Sequence, residues 1–153
     1  MAEKERAPVG RVAALDWGKA RVGLAVSDEL GLYAHARPAL DGRDRRALLA
    51  ALATLAREEP IRRFLVGLPL DMSGRDGPAA DRATRFAAAV CQATGVEVEL
   101  VDERLTTVQA ERSLAEQGAS TSERIARRDG AAAAILLQSW LDGRRTRRRS
   151  PRA

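Results

Sequence analysis

The stretch Val12-Ala-Ala-Leu-Asp16-Trp-Gly-Lys-Ala-Arg21-Val-Gly-Leu-Ala-Val-Ser-Asp28 reads as two apolar runs joined by a short turn. Each run has strand length and strand composition, and Gly18 permits the tight reversal between them, so the pair is expected to form a hairpin. Asp16 ends the first run. A carboxylate at the tip of a buried strand is costly unless it is paired, caps a turn or binds a cation. Arg21 opens the second run within reach of the same turn.

Working outward, residues 1–10 read as a flexible leader. Tyr33–Pro38 follows the Gly31 break as a third strand. Asp41 to Asp44 offers caps for a helix through about Arg57, whose Leu48, Ala51, Leu52 and Leu55 form one apolar face. Phe64–Gly67 is a short apolar strand, consistent with a sheet covered on both sides. A turn-rich loop leads from it to Gly77, and a helix from Pro78 buries Ala83, Phe86, Ala87 and Val90 before Gly95 ends it. Val96–Val101 alternates apolar with acidic residues, as on an edge strand. Thr106 or Thr107 caps a third helix ending near Gly118. A polar loop, 118–128, then precedes a last helix from about Asp129 to Leu141.

Three consecutive strands argue for an antiparallel meander, and the strand–helix alternation after them argues for parallel additions through right-handed crossovers. The expectation is an α/β domain over residues 11–142. It has a mixed five-stranded sheet, three meander strands plus two parallel ones, with helices on both faces.

Composition bounds the class. With 153 residues, 45% hydrophobic and 31% charged, the chain suits one globular domain with a real core. No window approaches the roughly 18 apolar residues of a membrane helix, and the N-terminus lacks a secretory pattern. Cys91 alone forms no internal disulfide, which fits a reducing cytoplasm; on an Ala-rich helix it reads as a small core residue. The net charge is +5, but residues 143–153 carry six arginines and no acid, so the body before them nets −1. Those residues read as a disordered, solvated tail, with non-specific phosphate binding as the alternative.

Three groups of acids interrupt otherwise apolar patterns: Asp16, the pair Asp102-Glu103 after the fifth strand, and Asp129 on the inward stripe of the last helix with Ala132, Ala133, Leu136 and Trp140. Phosphodiester hydrolysis requires an activated water and a leaving oxygen relieved of charge. Two hard cations about 3.5–4 Å apart do both, and Mg²⁺ or Mn²⁺ takes oxygen ligands. Acids from two strand ends and one helix can converge on such a site. The single His35 belongs to no zinc spacing. Each acid also has a plain reading. Asp16 caps the Gly18 turn, Asp102 or Glu103 pairs with Arg104, and Asp129 is an N-cap. Trp17 either stacks on a base or packs beside its turn.

The run Asp16-x-Gly-x-x-Arg21-x-Gly-x-Ala-x-Ser-Asp28, then Gly67-Leu-Pro69 with Gly74, then Asp102-Glu-Arg-Leu-Thr-Thr107, then Asp129-x-x-Ala-Ala-x-x-Leu-Leu-Gln138 resembles, in order, the motifs of the YqgF/RuvX family. These RNase H-like proteins include pre-16S rRNA nucleases and Holliday-junction-resolvase homologues. The resemblance implies an RNase H-like fold and a Mg²⁺- or Mn²⁺-dependent nuclease acting on nucleic acid in the cytoplasm. Processing of the 5′ end of pre-16S rRNA is the first expectation and cleavage of branched DNA the second. Metal-binding, catalytic roles are implied for Asp16, for Glu103 or Asp102, and for Asp129. Glu103 is favoured because it is longer and shares parity with Glu97 and Glu99. Arg21 and Arg104 are expected to hold substrate phosphate or, equally, to pair with the neighbouring acids. The fourth strand carries no acid where many such nucleases have one; Asp71 lies in the loop beyond it. A monomer serves single cuts, whereas paired junction cuts require a two-fold dimer. The rival classes are a non-catalytic ribosome-assembly factor and an actin-like or sugar-kinase ATPase, which needs a second domain.

Overall fold

The structure is a computed structural model that describes residues 10–18, 20–69, 77–116 and 121–149, with the side chains of 121–129 and 145–149 outside the described set. The expected leader up to residue 9, most of the loop before Gly77 (including Asp71 and Gly74) and residues 150–153 lie outside the described residues.

Five strands form one sheet: β1 (Arg11–Trp17), β2 (Arg21–Ser27), β3 (Ala34–Asp41), β4 (Ile61–Leu68) and β5 (Glu97–Asp102). Their order is β3-β2-β1-β4-β5. The pairs β1–β2 and β2–β3 are antiparallel, and β1–β4 and β4–β5 are parallel. This is the expected meander with two parallel additions, and β5 is the expected edge. β1 is central, which is why Val12, Ala13, Ala14 and Leu15 are all buried. Alternate residues feed two separate cores. Ala13 and Leu15 pack with α1 (Arg45–Glu58) and α2 (Pro78–Thr94) on one face. Val12 and Ala14 pack with α3 (Val108–Glu116) and α4 (Thr121–Arg149) on the other.

Local chemistry sets most boundaries. Asp44 is the N-cap of α1, its side chain accepting from the Ala47 N–H at 3.2 Å. Gly95 ends α2 with φ +72°, a left-handed value that favours glycine. Thr107 Oγ1 accepts from the Ala110 N–H at 3.0 Å at the start of α3. β3 runs three residues past Pro38, which an edge strand tolerates because it has a side with no ladder to interrupt. Cys91 is exposed on α2 rather than part of the core; it falls just outside the stripe of Ala83, Phe86, Ala87 and Val90 that faces the sheet.

The last helix departs most from expectation. α4 starts at Thr121 and continues to Arg149, so 121–128 are helical rather than a loop, Asp129 is interior rather than an N-cap, and 143–149 continue the helix rather than forming a disordered tail. Polarity reports solvation, not backbone state, and Ser122 to Arg128 contain no proline or glycine to oppose helix. At the other end the Arg144 guanidinium lies 4.7 Å above the Trp140 ring and supports continuation. Gly130 looked like part of a helix start, yet it marks where α4 crosses the sheet. A Cβ there would meet Leu24 O at 2.7 Å and Arg37 O at 2.9 Å.

Because those neighbours are backbone atoms, Gly130→Ala must push α4 off β2 and β3. The expected loss is about 1–3 kcal/mol in chemical denaturation, the range for overpacking a filled core. Gly143→Ala, on the same helix, meets nothing within 4 Å and should be neutral or stabilising by up to about 1 kcal/mol. Equal effects of the two would contradict the close crossing at Gly130.

Gln138 ties α4 to the β2–β3 connection. This fully buried side chain accepts from the Ala34 N–H at 2.9 Å and donates to Leu32 O and Asp142 Oδ1, both at 3.0 Å. A buried amide with its polar atoms matched fixes register as well as contributing stability. No helix among the described residues is long and apolar enough to cross a membrane.

Candidate active site

The pleat of β1 sends Asp16 to the same face as Val12 and Ala14, the face covered by α3 and α4. Its cross-strand partner is Gly23, which adds no side chain beside the carboxylate. β4 and β5 run parallel to β1, so their C-terminal ends meet Asp16 at the same edge. Directly after β5, a 3₁₀ turn over Glu103–Leu105 swings Glu103 back across β4. The Glu103 side chain lies over Gly67, where an added Cβ would fall 2.9 Å from Glu103 Cγ and 3.1 Å from Cδ. Gly67, in a motif of little meaning alone, thus has a physical reason to lack a side chain.

Asp16 and Glu103 line one cleft of about 360 Å³ with Thr106, Glu111, Ala132, Ile135 and Leu136. Burial pushes the Asp16 carboxyl up from its ordinary value. Glu103 is also pushed up, first by burial, then by the negative charge of Asp16 and of Asp102. Ionisation at both positions is therefore opposed, and a hard cation with oxygen preference relieves this opposition. The donor set fits Mg²⁺ or Mn²⁺ and lacks the nitrogen or sulfur of zinc sites. Among the described residues no group of three acid, histidine or cysteine side chains is spaced to hold a metal. The Asp129 side chain lies outside the described residues; on the α4 backbone, position 129 is about one turn before the cleft residue Ala132.

Asp102 is engaged elsewhere. It caps the 3₁₀ turn, accepting from the Arg104 N–H at 2.9 Å, and forms a two-pronged pair with the Arg104 guanidinium at 2.7 and 3.0 Å. These bonds, the side-chain one first, hold its carboxyl below the ordinary range. The internal ion pair foreseen as one option for Arg104 is present. Arg21 begins β2 on the pleat parity of Gly23, so it shares the Asp16 face, and its backbone pairs with Asp41 across β3. Trp17 stacks on Phe86 with centroids 5.4 Å apart and with Arg45 above both rings, which makes it a packing residue of the opposite face. Glu111, on α3, is a cleft acid that the sequence pattern did not single out. Its one signal is its place beside the buried positions Ala110 and Leu114.

The family model described as "RuvX: Holliday junction resolvase" matches residues 10–143. The chain belongs to the RuvX family. An Anaeromyxobacter sp. (strain Fw109-5) protein named "Putative pre-16S rRNA nuclease" is 47% identical over 134 residues, covering 88% of this chain and 98% of its own. A Myxococcus xanthus protein of the same name is 44% identical, covering 88% and 89%. Membership of the RuvX family and these relatives support a nuclease role. Thermus thermophilus RuvC, solved in complex with a Holliday junction substrate, covers 90% of this chain and 96% of its own at TM-score 0.59 and 15% identity. At that identity the likeness shows a shared fold, the RuvC-type RNase H-like fold.

Proposed function

We propose that this RuvX-family chain is a Mg²⁺- or Mn²⁺-dependent nuclease that hydrolyses phosphodiester bonds in the Asp16–Glu103 cleft. Its first-choice substrate is pre-16S rRNA, the substrate in the names of its relatives, and we place the cut at its 5′ end. The observation that carries this reading is the convergence of two carboxylates, each with opposed ionisation, in one cleft: Asp16 near the end of β1, and Glu103 from the turn after β5, reaching across β4 at Gly67.

In this reading Asp16, Glu103 and Asp129 are the metal-holding catalytic acids. Asp102 positions the turn that presents Glu103, and Arg104 holds Asp102 in place. Arg21 lies at the rim of the same face and faces incoming phosphate. Metal ions bound there supply an activated water and neutralise charge on the leaving oxygen. The half-buried setting of Asp16 limits solvent screening there and strengthens its hold on a cation, while the more exposed Glu103 carboxylate closes the cleft from the turn after β5. A resolvase acting on four-way junctions is the second reading, favoured by the family description.

Labelled pre-16S rRNA fragments and four-way DNA junctions, each incubated with Mg²⁺, Mn²⁺ or chelator, test the proposal. Cleavage of the rRNA precursor that chelator abolishes is the expected result. Junction cleavage alone would move the chain to the second reading, and cleavage insensitive to chelator would contradict the metal-dependent mechanism.

Gly67→Ala gives a more local check. The nearest atoms to the new methyl belong to the flexible Glu103 side chain, so the fold accommodates the change by displacing the carboxylate. Turnover should fall about 100-fold, the scale of an ångström-level misplacement, while the urea midpoint moves little. Near-normal turnover would detach Glu103 from the chemistry.

A further inference from the structure

A second groove of about 380 Å³ adjoins the acid cleft and shares Leu136 with it as a wall. Its apolar sides come from Val101, Leu105 and Trp140, and its polar edge from Gln109, Ser139 and Asp142. Leu105, which lines it, is 65% exposed, an unusual placing for a large aliphatic side chain. The Arg144 guanidinium sits over Trp140 at the groove's far side and fixes a cation there. Beyond it α4 continues through Arg145, Arg147, Arg148 and Arg149. By helical spacing, positions 144, 147 and 148 continue the stripe of Trp140.

Along one face of α4 the order is therefore acid cleft, apolar groove with hydrogen-bonding edges, then a run of arginine. At 1.5 Å rise per residue, Arg144 is about 12 Å from Leu136 along the axis and Arg148 about 18 Å, the reach of a few nucleotides. Resting on the nuclease reading, we propose that this groove receives one unstacked base of a single-stranded flank of the substrate, whose following phosphates run onto the arginine end of α4. An apolar slot suits the base faces, the Gln109 amide and the Ser139 hydroxyl at its edge suit donors and acceptors on the base rim, and the arginine run suits phosphate. The 143–149 segment is thus a structured arm of the substrate site.

Full-length protein is titrated, with Ca²⁺ in place of Mg²⁺ and Mn²⁺, against a labelled blunt RNA duplex. The same duplex carrying a four-nucleotide single-stranded extension, in either polarity, is titrated in parallel. The proposal predicts that one polarity tightens wild-type binding about tenfold. Leu105→Glu, at an exposed position, should remove that gain. So should the triple variant Arg144→Gln/Arg147→Gln/Arg148→Gln, which should also flatten the log-affinity against log-salt slope by about 2, or 0.7 for each single-strand contact. The matched triple Arg46→Gln/Arg82→Gln/Arg85→Gln, on the opposite helical layer, should keep the gain. An extension that adds nothing to wild type overturns the proposal while leaving the nuclease reading intact. Loss of the gain in the α4 arginine variant but not in Leu105→Glu overturns the base site. Failure of wild type to bind either RNA overturns the base site and the rRNA reading together, and leaves only the junction reading of the nuclease.

Discussion

Asp16→Asn is expected to reduce phosphodiester cleavage by roughly 10³-fold or more, the scale of removing a group that stabilises transition-state charge. The amide keeps the shape of the side chain and removes the charge that a divalent cation needs. Stability should move the opposite way. Burial raises the folded-state pKa of Asp16 above its ordinary value of 3.8. A carboxyl shifted upward favours the fold fully below that ordinary value, and the contribution is lost as pH rises through the folded pKa. At neutral pH the ionised Asp16 therefore opposes folding of the metal-free protein, and the amide does not. The variant should melt at the same temperature as wild type or higher at pH 7, with the difference shrinking as pH falls below the carboxylate range. Added Mg²⁺ or Mn²⁺ should raise the melting temperature of wild type and not of the variant. A variant that is active, or markedly less stable at pH 7, would mean that Asp16 serves the turn at Gly18 and not a cation.

Glu103→Gln should produce a loss of similar size, whereas Asp102→Asn should cost at most about tenfold. The two acids are neighbours in sequence but differ in circumstance. Glu103 lines the cleft, where burial and the Asp16 charge oppose its ionisation. Asp102 is already ionised comfortably against Arg104 and the turn amide. Removing its charge loosens the 3₁₀ turn, so the expected signature is lower turnover with metal affinity preserved. Comparing kcat with the Mg²⁺ concentration at half-maximal rate separates the two roles. The reverse ranking would transfer the ligand role to Asp102, and small effects in both would leave β5 without an acid in the chemistry.

The central strands and the position of Asp16 were legible in the sequence because β1 and β2 are buried on both faces and interrupted only where the turn and the acid occur. The parity argument put Glu103 on the face of the cleft that it lines with Asp16, but by an incomplete route. The residue is not on β5 but in the 3₁₀ turn after it, and its path depends on the absence of a side chain at Gly67. Such a dependence links positions 36 apart and carries no local signal. The extent of α4 was illegible for a related reason. Gly130 resembles a helix boundary in sequence, yet its lack of a side chain serves contact with Leu24 and Arg37 carbonyls in other strands. Glu111 was missed because nothing in the sequence states how α3 is rotated against the cleft. The core stripe of α2 was readable because burial there follows 3.6-residue periodicity, with Cys91 misjudged by lying one position outside it. On α1, by contrast, Leu48 and Leu52 are buried but Ala51, expected on the same face, is exposed.

Direct Mn²⁺ binding, followed by the electron paramagnetic resonance signal of the free ion, tests the central claim without relying on substrate choice or turnover. Wild type, Asp16→Asn, Glu103→Gln and Asp102→Asn are titrated at neutral pH in the absence of nucleic acid. The account predicts saturable binding by wild type and by Asp102→Asn, competed by Mg²⁺, and its loss in Asp16→Asn and Glu103→Gln. Undiminished Mn²⁺ binding in those two variants would contradict the assignment of the cleft as the metal centre.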